Sequence, residues 1–136
     1  MPITITLKQL ALAVQSGALS RYFALDRPLQ VAWKNRKQVS ASETEYKLYQ
    51  EKLQALCDKY GVKNAQNPNV YDFDVGDESV KPGEQGPKRK QFEAERQELD
   101  KQVIDDMPGE PVKVSEASGS LKTFDCEILE GTFLVD

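Results

Sequence analysis

The 136-residue chain contains no histidine. That removes the commonest general base, the usual zinc ligand and every Ser/His or Cys/His nucleophile arrangement. Cysteine is scarce: Cys57 and Cys126 are too few for a four-thiolate zinc site. Far apart and set among apolar neighbours, they read as two buried small hydrophobes rather than a disulfide. Long apolar runs are missing as well. No stretch of eighteen apolar residues occurs, and no charged start is followed by an apolar block, so neither a membrane span nor a secretory signal is expected. Most familiar catalytic designs are closed by these absences, and the expectation is a non-enzymatic protein without a cofactor, made and kept in a cytosol.

Helix breakers are absent from one long stretch. Between Pro28 and Gly61 there is neither glycine nor proline. Asp26 is placed to cap, Pro28 to open a first turn and Gly61 to terminate, so the reading is a long helix over about 27–60. Tyr46, Tyr49, Leu53, Leu56 and Tyr60 recur at steps of three and four and form one apolar stripe. At 1.5 Å per residue such a rod is roughly 50 Å long and needs something to lie against. Its serine-rich middle, Val39 to Thr44, is the place for a bend.

The remaining chain is read as supplying that support. Ile3-Thr4-Ile5 is a short strand. Thr6 with Gln9 has the form of a capping box opening a helix over about 7–16, and Leu19 to Leu25 makes a corner with Tyr22 and Phe23 for packing. Residues 62–86 turn to Pro, Gly, Asn and Asp and form a long, partly ordered excursion, with a brief strand or ordered loop inside Val70 to Val75. Phe92, Arg96, Leu99, Val103 and Met107 step at helical spacing before Pro108-Gly109, predicting a helix over about 87–107. Pro111 to Val114 is a short strand placed to pair with Ile3 to Ile5. In the closing stretch Thr123 to Val135, Phe124, Cys126 and Ile128 alternate like a strand while Phe124, Ile128 and Leu129 share a helical face, and a short helical turn is the favoured of the two. The fold class is α+β, mainly α, in a single domain over 1–136. An antiparallel helical hairpin (27–60 with 87–107) is accompanied by a short N-terminal helix and a small two-stranded element (3–5 with 111–114).

The net charge of −4 is unevenly spread. Residues 1–60 carry nine Lys and Arg against five acids, and residues 61–136 carry nine against seventeen, about +4 and −8. This asymmetry serves attraction within the fold or between copies. Two sets of side chains stand out. Arg21, Arg27, Lys34, Arg36 and Lys37, with Trp33 among them, form the candidate interaction surface, since cations and an aromatic anchor suit a charged partner. Asp72, Asp74, Asp77 and Glu78 form an acidic loop, but Gly76 stands in the fifth rather than the sixth place of a calcium loop and the closing Glu is missing. The acidic loop is therefore read as solvated, with no metal. Gly83 to Lys88 lacks phosphate-loop spacing. Nucleic-acid binding is disfavoured by overall acidity and the lack of a base-reading motif.

The whole pattern resembles a family of small tailed-bacteriophage proteins of unknown function. The carrying features are the basic turn through Pro28 into the long helix, the Lys59-Tyr60-Gly61 ending, the Gly/Asn/Pro-rich insertion, a second helix reaching Val103-Ile104-Asp105, and a final Asp125-Cys126-Glu127-Ile128-Leu129-Glu130 stretch. This chain departs in its longer acidic insertion and its Gly131-Thr132-Phe133 ending. The resemblance implies a virion component, at the tail or head-tail region, whose partners are other phage proteins or its own copies, found in the host cytoplasm or in the particle. A soluble inhibitor of a host defence protein, using the acidic excursion, and a nucleic-acid accessory protein remain as alternative classes.

Overall fold

Thr6 decides how the chain begins. Its hydroxyl accepts from Gln9 N–H (3.1 Å) while the Gln9 side chain accepts from Thr6 N–H (2.9 Å), the reciprocal capping box the sequence announces. The computed structural model describes residues 3–81, 84–116, 119 and 121–135. In chain order the elements are β1 (Ile3–Thr6), α1 (Leu7–Gln15), α2 (Ala18–Phe23), α3 (Leu29–Lys34), α4 (Gln38–Tyr60), β2 (Gly61–Lys63), β3 (Tyr71–Phe73), α5 (Pro87–Asp100), β4 (Val103–Met107), β5 (Val112–Lys113), a 3-10 turn at Val114–Glu116, α6 (Thr123–Leu129) and β6 (Leu134–Val135). The α+β, mainly helical class holds.

The backbone gathers into two compact units, one of residues 1–47 with 101–136 and one of 48–100. The first is built on Tyr22 and Phe133, both fully buried, whose rings lie 5.4 Å apart and share Phe23 as a third member of the cluster. Offset and tilted rings at this spacing add electrostatic complementarity to the area they bury. Around them close Leu10, Ala18, Met107, Leu129 and Leu134. β1 pairs antiparallel with β4, and β5 pairs parallel with β6.

This pairing corrects the expectation that Ile3 to Ile5 would take 111–114 as partner. It also ends the second helix at Asp100 instead of 107. The ladder slips between Ile3 and Ile5, so that Asp105 and Asp106 are both exposed while Ile104 and Met107 are both buried. A bulge places two residues between buried neighbours, and three-residue spacing in a bulged strand imitates a helical step. Val103, counted on the apolar helix stripe, is 55% exposed.

The long helix is bent. The break falls at 35–37 rather than inside 39–44, with Arg36 N–H reaching Trp33 O and Gln38 N–H reaching Asn35 O, the tight i to i−3 pattern. Asn35 stands at the break as the C-cap of the first segment, and its buried side chain accepts Glu110 N–H at 2.8 Å. Asp26 does not cap the first segment: Pro28 holds the N-cap place with no side-chain bond.

In the second unit the later part of α4 and α5 run in opposite directions. The Tyr49 hydroxyl donates to Asp100 (2.7 Å) and Lys59 pairs with Glu95 (3.6 Å). Burial and then the Asp100 carboxylate push the Tyr49 phenol up to about 12. Between these helices the excursion carries the β2–β3 hairpin, in register from Gly61↔Phe73 to Lys63↔Tyr71. Gly61 is therefore a strand residue and not a left-handed terminator. A Cβ there would sit 3.1 Å from Cys57 O and 3.2 Å from the Phe73 ring, which is why glycine stands at the junction. Phe73 lies on Phe92 at 4.7 Å, anchoring the hairpin. Both cysteines are free thiols, half-buried rather than buried.

Candidate functional site

The five cations singled out in the sequence have different fates. Arg21 is structural. Its guanidinium forks onto Asp125, with Nε at 2.7 Å and Nη2 at 2.6 Å, while Nη2 also reaches Ser16 O at 3.0 Å. Asp125 is fully buried and accepts Lys122 N–H as well (3.0 Å), so one carboxylate joins α2 to α6 and closes the first turn of α6. The Arg21 partner holds its carboxyl down at about 2. Gly17 fits beneath this pair: its φ is +81° and a Cβ would lie 2.8 Å from Arg21 Nη1. Arg27 is half-buried, donating to Tyr22 O at 2.7 Å with its guanidinium 4.7 Å from the Tyr22 ring centre.

Lys34, Arg36, Lys37 and Trp33 do share an exposed neighbourhood. α3 has no buried residue at all; Leu29 is 84% and Trp33 65% exposed, four positions apart on one face. Arg36 stacks on the Trp33 ring at 4.1 Å and donates to Trp33 O at 2.7 Å, so the indole is held in place instead of swinging freely. Lys34 pairs loosely with Glu110 across 3.7 Å of exposed surface, an interaction of little energetic weight. Val39, 42% exposed, extends the apolar surface past the bend.

Two cavities flank Phe23 and Val39. One, of about 340 Å³, is walled mainly by Val14, Leu19 and Tyr46; the other, of about 300 Å³, by Leu25, Ala32, Asn35, Arg27 and Arg36. Asn35 and Gln38 behind the bend are buried, and among the described residues their amide NH2 groups have no hydrogen-bond partner. Sequence reasoning missed both residues. The available signal was a poor helix former, Asn35, in the middle of an otherwise uninterrupted helical stretch.

The acidic excursion does not converge. Asp72 accepts from the Asn64 amide at 3.1 Å. Asp74, at φ +57°, reaches fourteen residues ahead to accept Lys88 N–H (3.0 Å) and Arg89 N–H (3.2 Å), capping α5. Asp77 turns to the backbone and hydroxyl of Ser79, which lower its pKa, and Glu78 is exposed. Among the described residues no three His, Cys, Asp or Glu side chains gather as metal ligands. No helix among them is long and apolar enough to cross a membrane. No protein family, curated protein or solved structure matches the chain.

Proposed function

We propose that this chain is a non-enzymatic binding protein that meets another protein through the exposed face of α3. In the setting the sequence resemblance implies, it is a virion component of a tailed phage and the partner is another phage protein. The observation that carries the reading is Leu29 and Trp33 standing exposed together on a helix without a fully buried residue. Apolar side chains at adjacent turns of one face form a patch, and Trp and Arg are among the residues enriched at the energetic anchors of interfaces.

The partner is expected to be acidic around an apolar socket. Lys34, Arg36 and Lys37 surround the patch, so two copies meeting through the same face would oppose cation to cation. A different protein, or an acidic surface elsewhere on a second copy, avoids this. The soluble-inhibitor and nucleic-acid readings gain less: Asp74 and Asp77 are spent on their own backbone, and Arg21 on Asp125.

The test is crosslinking mass spectrometry on purified particles. The chain is expected at fixed copy number, with crosslinks from Lys34 and Lys37 converging on one neighbour, and Trp33→Ala is expected to weaken that association at least about tenfold. Absence from particles overturns the virion setting, and crosslinks that avoid Lys34 and Lys37 overturn the face.

A further inference from the structure

The larger of the two cavities flanking Phe23 is an apolar socket with one charged edge. Resting on the binding reading above, we infer that this cavity of about 340 Å³, between α1, α2 and the start of α4, receives one large apolar side chain of the partner protein, and that a neighbouring Lys or Arg of the partner pairs with Glu43. Three observations support this occupant.

The first is shape. Val39, Ser42 and Tyr46 step by three and four along one face of α4, and Val14, Leu19 and Phe23 stand opposite them. A serine in the middle of that face leaves open the room that a larger side chain fills between packed helices. Val14, Phe23 and Tyr46 are half-buried and Val39 is exposed, so the walls can be reached from solvent. The volume lies at the low end of the roughly 300–1,000 Å³ of ligand pockets, which suits a side chain better than a larger molecule.

The second is that the walls are held in place and their polar groups are engaged. The Ser42 hydroxyl donates to Met107 Sδ at 3.8 Å, and the Tyr46 hydroxyl accepts from Gln15 Nε2 at 3.3 Å, tying α4 to α1. Phe23 is braced by the Tyr22 and Phe133 rings. An apolar side chain entering such a preformed hollow loses its contact with water without first having to rearrange the walls.

The third is charge. Among the described residues Glu43 is the one charged side chain lining the cavity; it is exposed and makes no ion pair. An anionic occupant would be repelled, and a wholly apolar one would cover part of the carboxylate with nothing in exchange. A cation beside the apolar group answers both. The cavity also shares Phe23 and Val39 with the cleft that Arg36 lines, so apolar surface continues from the α3 side to its mouth.

The experiment is a titration of the intact labelled chain with the capped dipeptide N-acetyl-Leu-Lys-amide, followed by the methyl resonances of Val14 and Val39. The controls are the corresponding Ala-Lys, Leu-Gln and Leu-Glu dipeptides, with octanoate as an acyl chain. Saturable movement of both methyl groups is expected with Leu-Lys, at least threefold tighter than with any control. Val39→Lys, at an exposed position, is expected to weaken binding at least fivefold. Glu43→Lys, also a surface change, is expected to reverse the preference in favour of Leu-Glu, a swap that a merely structural role for Glu43 would not produce. Equal response to Ala-Lys, tighter binding of octanoate, or an unchanged preference in Glu43→Lys each overturns the inference. Self-association in sedimentation that Val39→Lys abolishes overturns it as well, a second copy then being the occupant. A flat titration with Leu-Lys overturns it too; should Trp33-dependent association survive alongside, the binding reading stands alone. The converse, Leu-Lys binding without Trp33-dependent association, removes the binding reading and leaves the socket.

Discussion

The two compact units are stabilised by different means. The unit of 1–47 with 101–136 has a fully buried aromatic pair, a buried carboxylate clasped by an arginine, and strands that join distant parts of the chain. Among the described residues the unit of 48–100 keeps Tyr49, Phe92 and Leu99 as its buried large side chains, with Phe73 stacked on Phe92, and adds polar ties such as Tyr49 to Asp100, Asp58 to Tyr71 (2.7 Å) and Asp74 to the start of α5. Apolar burial contributes stability in proportion to area, whereas solvent-exposed polar contacts contribute little each. The second unit should therefore open first in hydrogen exchange while amides around Tyr22 and Phe133 stay protected. Exchange that is equally slow in both units would break the comparison.

The largest effect is expected from Phe133→Ala, which leaves a hole beside Tyr22 and should cost about 4 kcal/mol in urea unfolding. Phe92→Ala removes the ring on which Phe73 rests and should cost about 3 kcal/mol, with exchange accelerated in 48–100 alone. A loss of protection spreading to Ile104 or Leu129 would mean that the units do not open separately.

Acid sharpens the comparison further. The folded Asp125 carboxyl sits at about 2, below its ordinary value of 3.8, so its contribution is complete above pH 4 and is lost as pH falls toward 2. Thermal melts between pH 5 and 2 should lose this increment in the wild type and show a flatter profile in Asp125→Asn. Tyr49 titrates in the opposite sense: raised from 10 to about 12, its contribution is complete below pH 10 and fades as pH rises through 12, and Tyr49→Phe should flatten the alkaline limb. The smallest change is Asp74→Ala, which removes the cap on α5 and should cost about 1 kcal/mol. Asp74→Gly should cost less, because glycine accepts the φ of +57° at no steric cost.

What the sequence disclosed follows from the range of each interaction. Thr6 and Gln9 are three residues apart, and their capping box was legible, whereas the Tyr71–Phe73 strand and the Thr123–Leu129 helix were each readable only as one of two local conformations. Arg21 and Asp125 are 104 positions apart, so nothing local marks Arg21 as a clasp rather than a surface cation. The bulge in β4 was hidden for a different reason: its three-residue spacing belongs equally to a helix. Asp74 looked like part of an acidic loop because the backbone it serves lies fourteen residues ahead. At the candidate site, Trp33 and its cations could be read directly, whereas the Asn35 amide became visible only when Glu110 was found against it.

The parallel pairing of Val112–Lys113 with Leu134–Val135 has a consequence for synthesis on the ribosome. Residues 48–100 form an uninterrupted stretch and can assemble as soon as they clear the exit tunnel, but the segment holding Tyr22 must wait, its apolar side uncovered, until Phe133 has emerged. A nascent chain stalled short of that point would be a target for chaperones and proteases.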